Sequence, residues 1–226
     1  MEVFPGIHEI FSRVSNCYLV VADEIMLIDT GMPGNSSKII DYLQNTLKRK
    51  PEDIKTIIIT HYHFDHVGSL DKIKKITGAK VAVHIADSNY LSGNKNQEGP
   101  VFMKAMVNLI KVLYQTEPVE AEILLEDGDQ IGGYQVIHTP GHTPGSICIY
   151  NPSNKVIFVG DNLRYSNGRI EGPNNRLLPE PEQFKESMKK LLNLDVEVIL
   201  SGHSPPVTSN ANLKLEEFLQ KYLIHK

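Results

Sequence analysis

The sequence is short of cysteine, of basic surplus and of long apolar runs, and each shortage closes a class. Cysteine occurs only twice, at Cys17 and Cys148. Two thiols make neither a disulfide framework nor a thiolate zinc cluster. Both lie in apolar runs, Asn16-Cys17-Tyr18-Leu19-Val20 and Ile147-Cys148-Ile149-Tyr150, so both are expected to be buried free thiols. Lys and Arg number 23 against 27 Asp and Glu, a net charge of −4. That balance argues against a protein built to coat nucleic acid, which carries a basic surplus. No apolar stretch approaches the ~20 residues that cross a bilayer, so no membrane association is expected. Met1-Glu2-Val3-Phe4-Pro5 has no charged n-region and no long apolar h-region, so no secretory signal and a cytoplasmic location are expected. There is no internal repeat, low-complexity tract or Gly/Ser linker. The 226 residues suit a single domain over 1–226, since domains reach ~250 residues before splitting.

What is present is an alternation of short apolar β-branched runs with helical patterns, the mark of an α/β chain. Tyr18–Val21 and Ile25–Ile28 read as a hairpin about a turn at Asp23-Glu24. Further strands are expected at Thr56–Ile59, Lys80–Val83, Gln135–His138, Ser146–Tyr150, Lys155–Val159 and Glu197–Leu200. Helices are expected at Ser36–Lys48, where Ile39, Ile40, Leu43 and Leu47 share a face, and at Pro181–Leu192 and Asn212–Ile224. The segment 86–117 is helical in pattern after a polar start, Ser92–Pro100, which predicts a mobile opening. It reads either as a packed connection or as a helical insertion that caps a pocket.

One regularity carries more weight than any single motif. Five apolar runs stop abruptly at residues able to bind metal. Ile25–Ile28 stops at Asp29; Thr56–Ile59 at Thr60-His61-Tyr62-His63-Phe64-Asp65-His66; Gln135–Ile137 runs into His138-Thr139-Pro140-Gly141-His142; Val156–Val159 stops at Gly160-Asp161; Val198–Leu200 at Ser201-Gly202-His203. Sites in α/β sheets are built at strand ends. If these ends share one sheet edge, their histidines and carboxylates meet there.

The densest piece, His61 to His66, puts four ligand-type side chains in six residues. The alternate spacing of His61 and His63 lets both imidazoles point the same way from an extended loop. Asp65 and His66 follow and can turn toward a second position. Imidazole nitrogens and carboxylate oxygens bind zinc at ~2.0–2.2 Å, and iron or manganese tolerates the same set.

His61-Tyr62-His63-Phe64-Asp65-His66 resembles the HxHxDH signature of the metallo-β-lactamase superfamily. Ile28-Asp29-Thr30-Gly31, Pro140-Gly141-His142-Thr143-Pro144-Gly145, Val159-Gly160-Asp161 and Ser201-Gly202-His203 resemble the rest of its motif set in order and spacing. The resemblance spans Asp29 to His203. It implies an αββα four-layer sandwich with two mixed β-sheets and the site at one sheet edge. It implies that His61, His63 and His142 hold one divalent ion, that Asp65, His66 and His203 hold a second, and that Asp161 bridges both. The two ions are expected to be zinc, with iron or manganese as alternatives. Asp29 is implied to orient a ligand histidine by a hydrogen bond. His8, His84, His138 and His225 lie outside the ligand pattern and read as surface or packing residues, His138 also as a group supporting a ligand.

Such a pair of ions lowers the pKa of a shared water toward ~7 and polarises the attacked oxygen, so no protein nucleophile is required. There is also no nucleophile elbow. The resemblance is nearest the glyoxalase II and lactonase-like branch, with a metal-bridged hydroxide attacking a thioester, lactone or other small carboxylic ester. Asp65 is a candidate to relay a proton to the leaving group. Tyr165 is a candidate hydrogen-bond donor to a substrate carbonyl, and Arg164 and Arg169 are candidates for an anionic tail. The superfamily's β-lactamases usually lack the bridging aspartate and often use a cysteine ligand, which disfavours β-lactam hydrolysis here. The alternatives are a phosphodiesterase or nuclease of the superfamily and an iron-dependent sulfur dioxygenase. The basic clusters Lys48-Arg49-Lys50 and Lys72-Ile73-Lys74-Lys75 read as solvated helix ends, so the expected partner is a small-molecule substrate and not nucleic acid. A homodimer, or closure over substrate, through the Met103–Leu113 face is a further expectation.

Overall fold

A computed structural model describes residues 1–12, 14–96, 101–173 and 178–224. Residues 97–100, part of the polar opening expected to be mobile, lie outside the described residues. Two compact units divide the chain, residues 1–124 and 125–226.

The first unit is built on a mixed sheet in which the strands follow chain order. Strands β1 (Glu2–Phe4), β2 (Ile7–Phe11), β3 (Asn16–Val21) and β4 (Ile25–Ile28) form an antiparallel meander. The hairpin expected at Tyr18–Ile28 is its second half. The chain then crosses through α1 (Asn35–Asp41), which runs on into a π turn at Tyr42–Thr46. It returns as β5 (Ile54–Ile59), parallel to β4. Helices α2 (Phe64–Val67) and α3 (Leu70–Thr77) lead to β6 (Lys80–His84), parallel to β5. Helices α4 (Ile85–Leu91) and α5 (Val101–Tyr114) precede β7 (Ile123–Leu125). Strand β4 and the end of β5 at Ile57, Ile58 and Ile59 are continuous, buried apolar runs, as expected where parallel strands are covered on both faces. Ile39 and Leu43 on one side of the helical segment and Ile73 on α3 are completely buried with Leu27, Ile57 and Val81. Helix α5 differs. Phe102, Leu109, Val112 and Leu113 remain 71%, 59%, 74% and 68% exposed, so its apolar period does not mark a packed face within the chain.

The second unit carries β8 (Gln130–Ile131), β9 (Tyr134–His138), β10 (Ile147–Asn151), β11 (Val156–Gly160) and β14 (Val198–Ser201) in the sheet order β14-β11-β10-β9-β8. Only the β11–β14 contact is parallel, so this sheet is mixed too. A separate hairpin pairs β12 (Arg164–Ser166) with β13 (Arg169–Glu171). Helices α6 (Pro181–Lys189) and α7 (Ala211–Ile224) complete it. Phe184, Met188, Leu215 and Leu219 from these helices are buried with Cys148, Ile157 and Val159. Cys17 and Cys148 are both buried and free. Burial pushes the Cys17 thiol up to about 12 and the Cys148 thiol to about 11. No described helix is long and apolar enough to cross a membrane.

Candidate metal centre

The first unit presents its metal-type side chains from the segment joining β5 to α2. His61 and His63 stand on the extended stretch, with ring centroids 4.8 Å apart and edge to face. His66 follows on α2, its centroid 4.1 Å from that of His61. The loop is held from several sides. The Tyr62 N–H donates to the completely buried Asp87 carboxylate at 3.0 Å, and the Tyr62 ring stacks on Tyr90 at 4.2 Å. Thr30 donates to the His66 carbonyl from its N–H at 2.7 Å and from its hydroxyl at 2.9 Å. Asp65, on the same turn, has a carboxylate oxygen 3.8 Å from His66 Nε2.

Asp29 ends β4 in the left-handed region, φ 57°, a conformation that Asp tolerates better than most residues. Its carboxylate accepts from the Thr60 N–H at 2.8 Å, from the Thr60 hydroxyl at 2.7 Å and from His66 Nδ1 at 2.8 Å. A carboxylate only accepts, so His66 carries its proton on Nδ1 and keeps the lone pair on Nε2. The Thr60 hydroxyl directs its proton to Asp29. The 3.1 Å contact between Thr60 Oγ1 and His61 Nδ1 must therefore be donated by the histidine. One buried carboxylate thus sets the tautomer of two imidazoles, one directly and one through Thr60. Such outer contacts orient metal-binding histidines and raise their basicity. Thr60 and Asp87 were not legible as functional residues in the sequence. A threonine at a strand end reads as a β-former, and Asp87 sits 25 residues from the backbone that it binds.

The second unit gathers His142, Asp161 and His203 from three strand ends. His142 Nε2 and His203 Nε2 lie 3.3 and 3.2 Å from the same oxygen, Asp161 Oδ2. The loops are tied together. Asn162 Nδ2 donates to Thr139 Oγ1 at 2.9 Å, and the Gly202 N–H donates to the Gly160 carbonyl at 2.9 Å. The donor set fits a divalent ion. Two ligands ~2.1 Å from a shared tetrahedral ion stand ~3.4 Å apart, close to the spacing seen on each side of Asp161 Oδ2.

Other candidates are placed differently. The Tyr165 N–H donates to Ser204 Oγ at 2.8 Å, and its ring packs on the second core with Lys214 Nζ 5.1 Å from the ring centroid. Arg164 pairs with Glu171 at 3.2 Å. His138 Nε2 donates to the Pro144 carbonyl at 2.9 Å, inside the loop that carries His142. His84 is buried and its Nδ1 accepts from the Ala86 N–H, capping α4.

The family model of the metallo-β-lactamase superfamily matches residues 11–203, and the chain belongs to that superfamily and has its fold. Among its relatives is the probable metallo-hydrolase YflN of Bacillus subtilis (strain 168), 26% identical over 92% of this chain and 87% of that protein. A solved structure of a metallo-β-lactamase family protein, TTHA1429 from Thermus thermophilus, aligns with TM-score 0.70 at 24% identity over 99% of this chain and 80% of that one. TTHA1623, solved in a di-iron-bound form, aligns with TM-score 0.63 at 27% identity over 88% of this chain and 94% of that one.

Proposed function

We propose that the protein is a binuclear metal-dependent hydrolase of a small ester-like substrate: a thioester, a lactone or another carboxylic ester. In this reading His61, His63 and His142 hold one ion, Asp65, His66 and His203 hold the other, and Asp161 serves both. The donor chemistry supports the assignment, for imidazoles and carboxylates are the ligands that such divalent ions take from protein. The observation that carries it is Asp161 Oδ2 facing two imidazole Nε2 atoms at 3.3 and 3.2 Å. When bound, the ions supply an acidified water and a Lewis acid for the substrate carbonyl. The chain's own residues do the rest. Asp29 and Thr60 fix which nitrogen of His61 and His66 keeps its lone pair. Asp65 is the proposed proton carrier to the leaving group, its carboxylate half-buried on the α2 turn. Zinc is the first choice of metal, and the di-iron form of TTHA1623 supports iron as the second. The glyoxalase II or lactonase-like branch is the proposed placement.

The basic clusters favour a small molecule over a polynucleotide. Lys75 pairs with Glu117 at 2.7 Å, Lys74 with Glu122, and Arg49 with Asp53 at 2.7 Å. Cations already paired release fewer counterions from a phosphate backbone.

The test joins a metal analysis to a hydrolysis screen on one metal-replete preparation, with thioesters, lactones, bis-aryl phosphodiesters and a β-lactam. About two ions per chain and turnover confined to the carboxylic esters are expected. Preferred cleavage of the phosphodiester would overturn the substrate class. His63→Ala should lower metal content and abolish turnover. Full activity in that variant would refute the ligand assignment.

A further inference from the structure

The second unit holds a cavity of about 580 Å³, and the ligand candidates His142, Asp161 and His203 are not among the described residues that line it. That volume lies within the ~300–1,000 Å³ typical of small-molecule sites. Among the described residues, four cationic side chains line it: Arg169 from β13, Lys185 from α6, and Lys214 and Lys221 from α7. Two carboxylates, Glu171 and Glu217, stand against them, and Glu171 already pairs with Arg164 at 3.2 Å. Lys214 is positioned by donating to the Ser209 carbonyl at 2.7 Å. Among the described residues no ion pair engages Arg169, Lys185 or Lys221. A local positive surplus on a chain of net charge −4 keeps cations near one another at a cost in repulsion that an anion relieves.

Two aromatic rings, Phe218 and Tyr222, also line the cavity. Phe218 and Tyr222 stack at 5.3 Å with an interplanar angle of 22°, and the buried Phe184 meets Tyr222 edge-on at 5.8 Å. Lys214, Phe218, Lys221 and Tyr222 recur at the spacing of one helix face, so α7 offers charge and ring surface together. Ile170 and Pro181 extend the apolar lining. Cations around an aromatic platform recognise a flat ring that carries negative charge, the ring by stacking and the charge by ion pairing.

We infer that this cavity binds a small organic anion in which a flat ring is joined to a phosphate or a carboxylate. The inference is independent of the metal centre and of the substrate proposed for it. Calorimetric titration of the full chain tests it. Adenosine monophosphate and 1-naphthoate are the two ring-bearing anions, with inorganic phosphate and adenosine as probes of charge and ring alone. At least one ring-bearing anion should bind saturably at one site, and whichever binds tells a phosphate ligand from a carboxylate one. Phosphate and adenosine should each bind at least tenfold more weakly. The double variant Lys185→Glu/Lys221→Glu, altered only at polar positions of the rim, should lose tenfold or more in affinity with an unchanged melting temperature. Phe218→Leu should weaken the ring-bearing anion and leave phosphate unaffected. Saturable binding by neither ring-bearing anion, phosphate or adenosine as tight as the ring-bearing anion that binds, or full affinity in the charge-reversed variant would overturn the inference.

Discussion

Asp29 never points at substrate in the proposed chemistry, yet two imidazoles depend on it. Replacing it by alanine leaves the buried Thr60 N–H, now bonded at 2.8 Å, without its acceptor, at a cost of about 1–3 kcal/mol. It also releases the tautomers of His61 and His66, and losses of outer contacts of this kind weaken metal binding about 10–100-fold. Asp29→Ala should therefore lower both urea stability and metal affinity. Thr60→Val separates the two effects. It cuts the relay to His61 and keeps the 2.8 Å contact between Asp29 and His66. Metal titration of Thr60→Val should show one ion weakened and the other retained; two ions weakened alike would contradict the relay. The histidines and aspartates of this site announce themselves in the sequence because few structural roles ask for so many ligands in so few residues. Thr60 and Asp87 do not, since their meaning lies in contacts made across the fold.

At the scale of elements, the strands ending in ligands were legible because apolar β-branched runs broken by glycine have few other readings. The hairpin of β1 and β2 was not, since Pro5-Gly6 and the polar His8 and Glu9 dilute the pattern. Its turn rests on Gly6 at φ 74°. Nor could periodicity show that α5 leaves its apolar stripe exposed, because spacing defines a face but not what covers it. Helix α6 shows how an element fixes a ligand. Gly141, beside His142, has φ 131°, and a Cβ there would lie 2.4 Å from Phe184 Cβ and 2.6 Å from its Cα and N. The α6 backbone at a completely buried Phe184 has nowhere to retreat. Gly141→Ala should cost about 1–3 kcal/mol from overpacking and a similar amount from backbone strain. A lower urea midpoint and reduced metal content are the expected readings.

At the scale of the whole molecule, the ligands proposed for each ion come from both compact units, residues 1–124 and 125–226. Each unit also carries one buried thiol, which makes its opening observable. Burial holds Cys17 near 12 and Cys148 near 11, above the ordinary 9.0. The folded chain thus keeps two protons that the unfolded chain releases. This contribution to stability is complete below pH 9 and declines as pH rises through 11 and 12. At pH 8 both thiols are neutral and inaccessible, and reaction with a thiol reagent requires local or global opening. Ions bound only to the folded state add RT ln(1 + [L]/Kd), about 2.7 kcal/mol at a hundredfold excess over Kd. Removing them with a chelator should lower the melting temperature and accelerate labelling at Cys17 and Cys148 together, because ions shared by both units stabilise both. Mass spectrometry of the labelled peptides reads each site separately. Acceleration at one cysteine alone would mean that the ions belong to one unit, and the shared centre proposed above would fall.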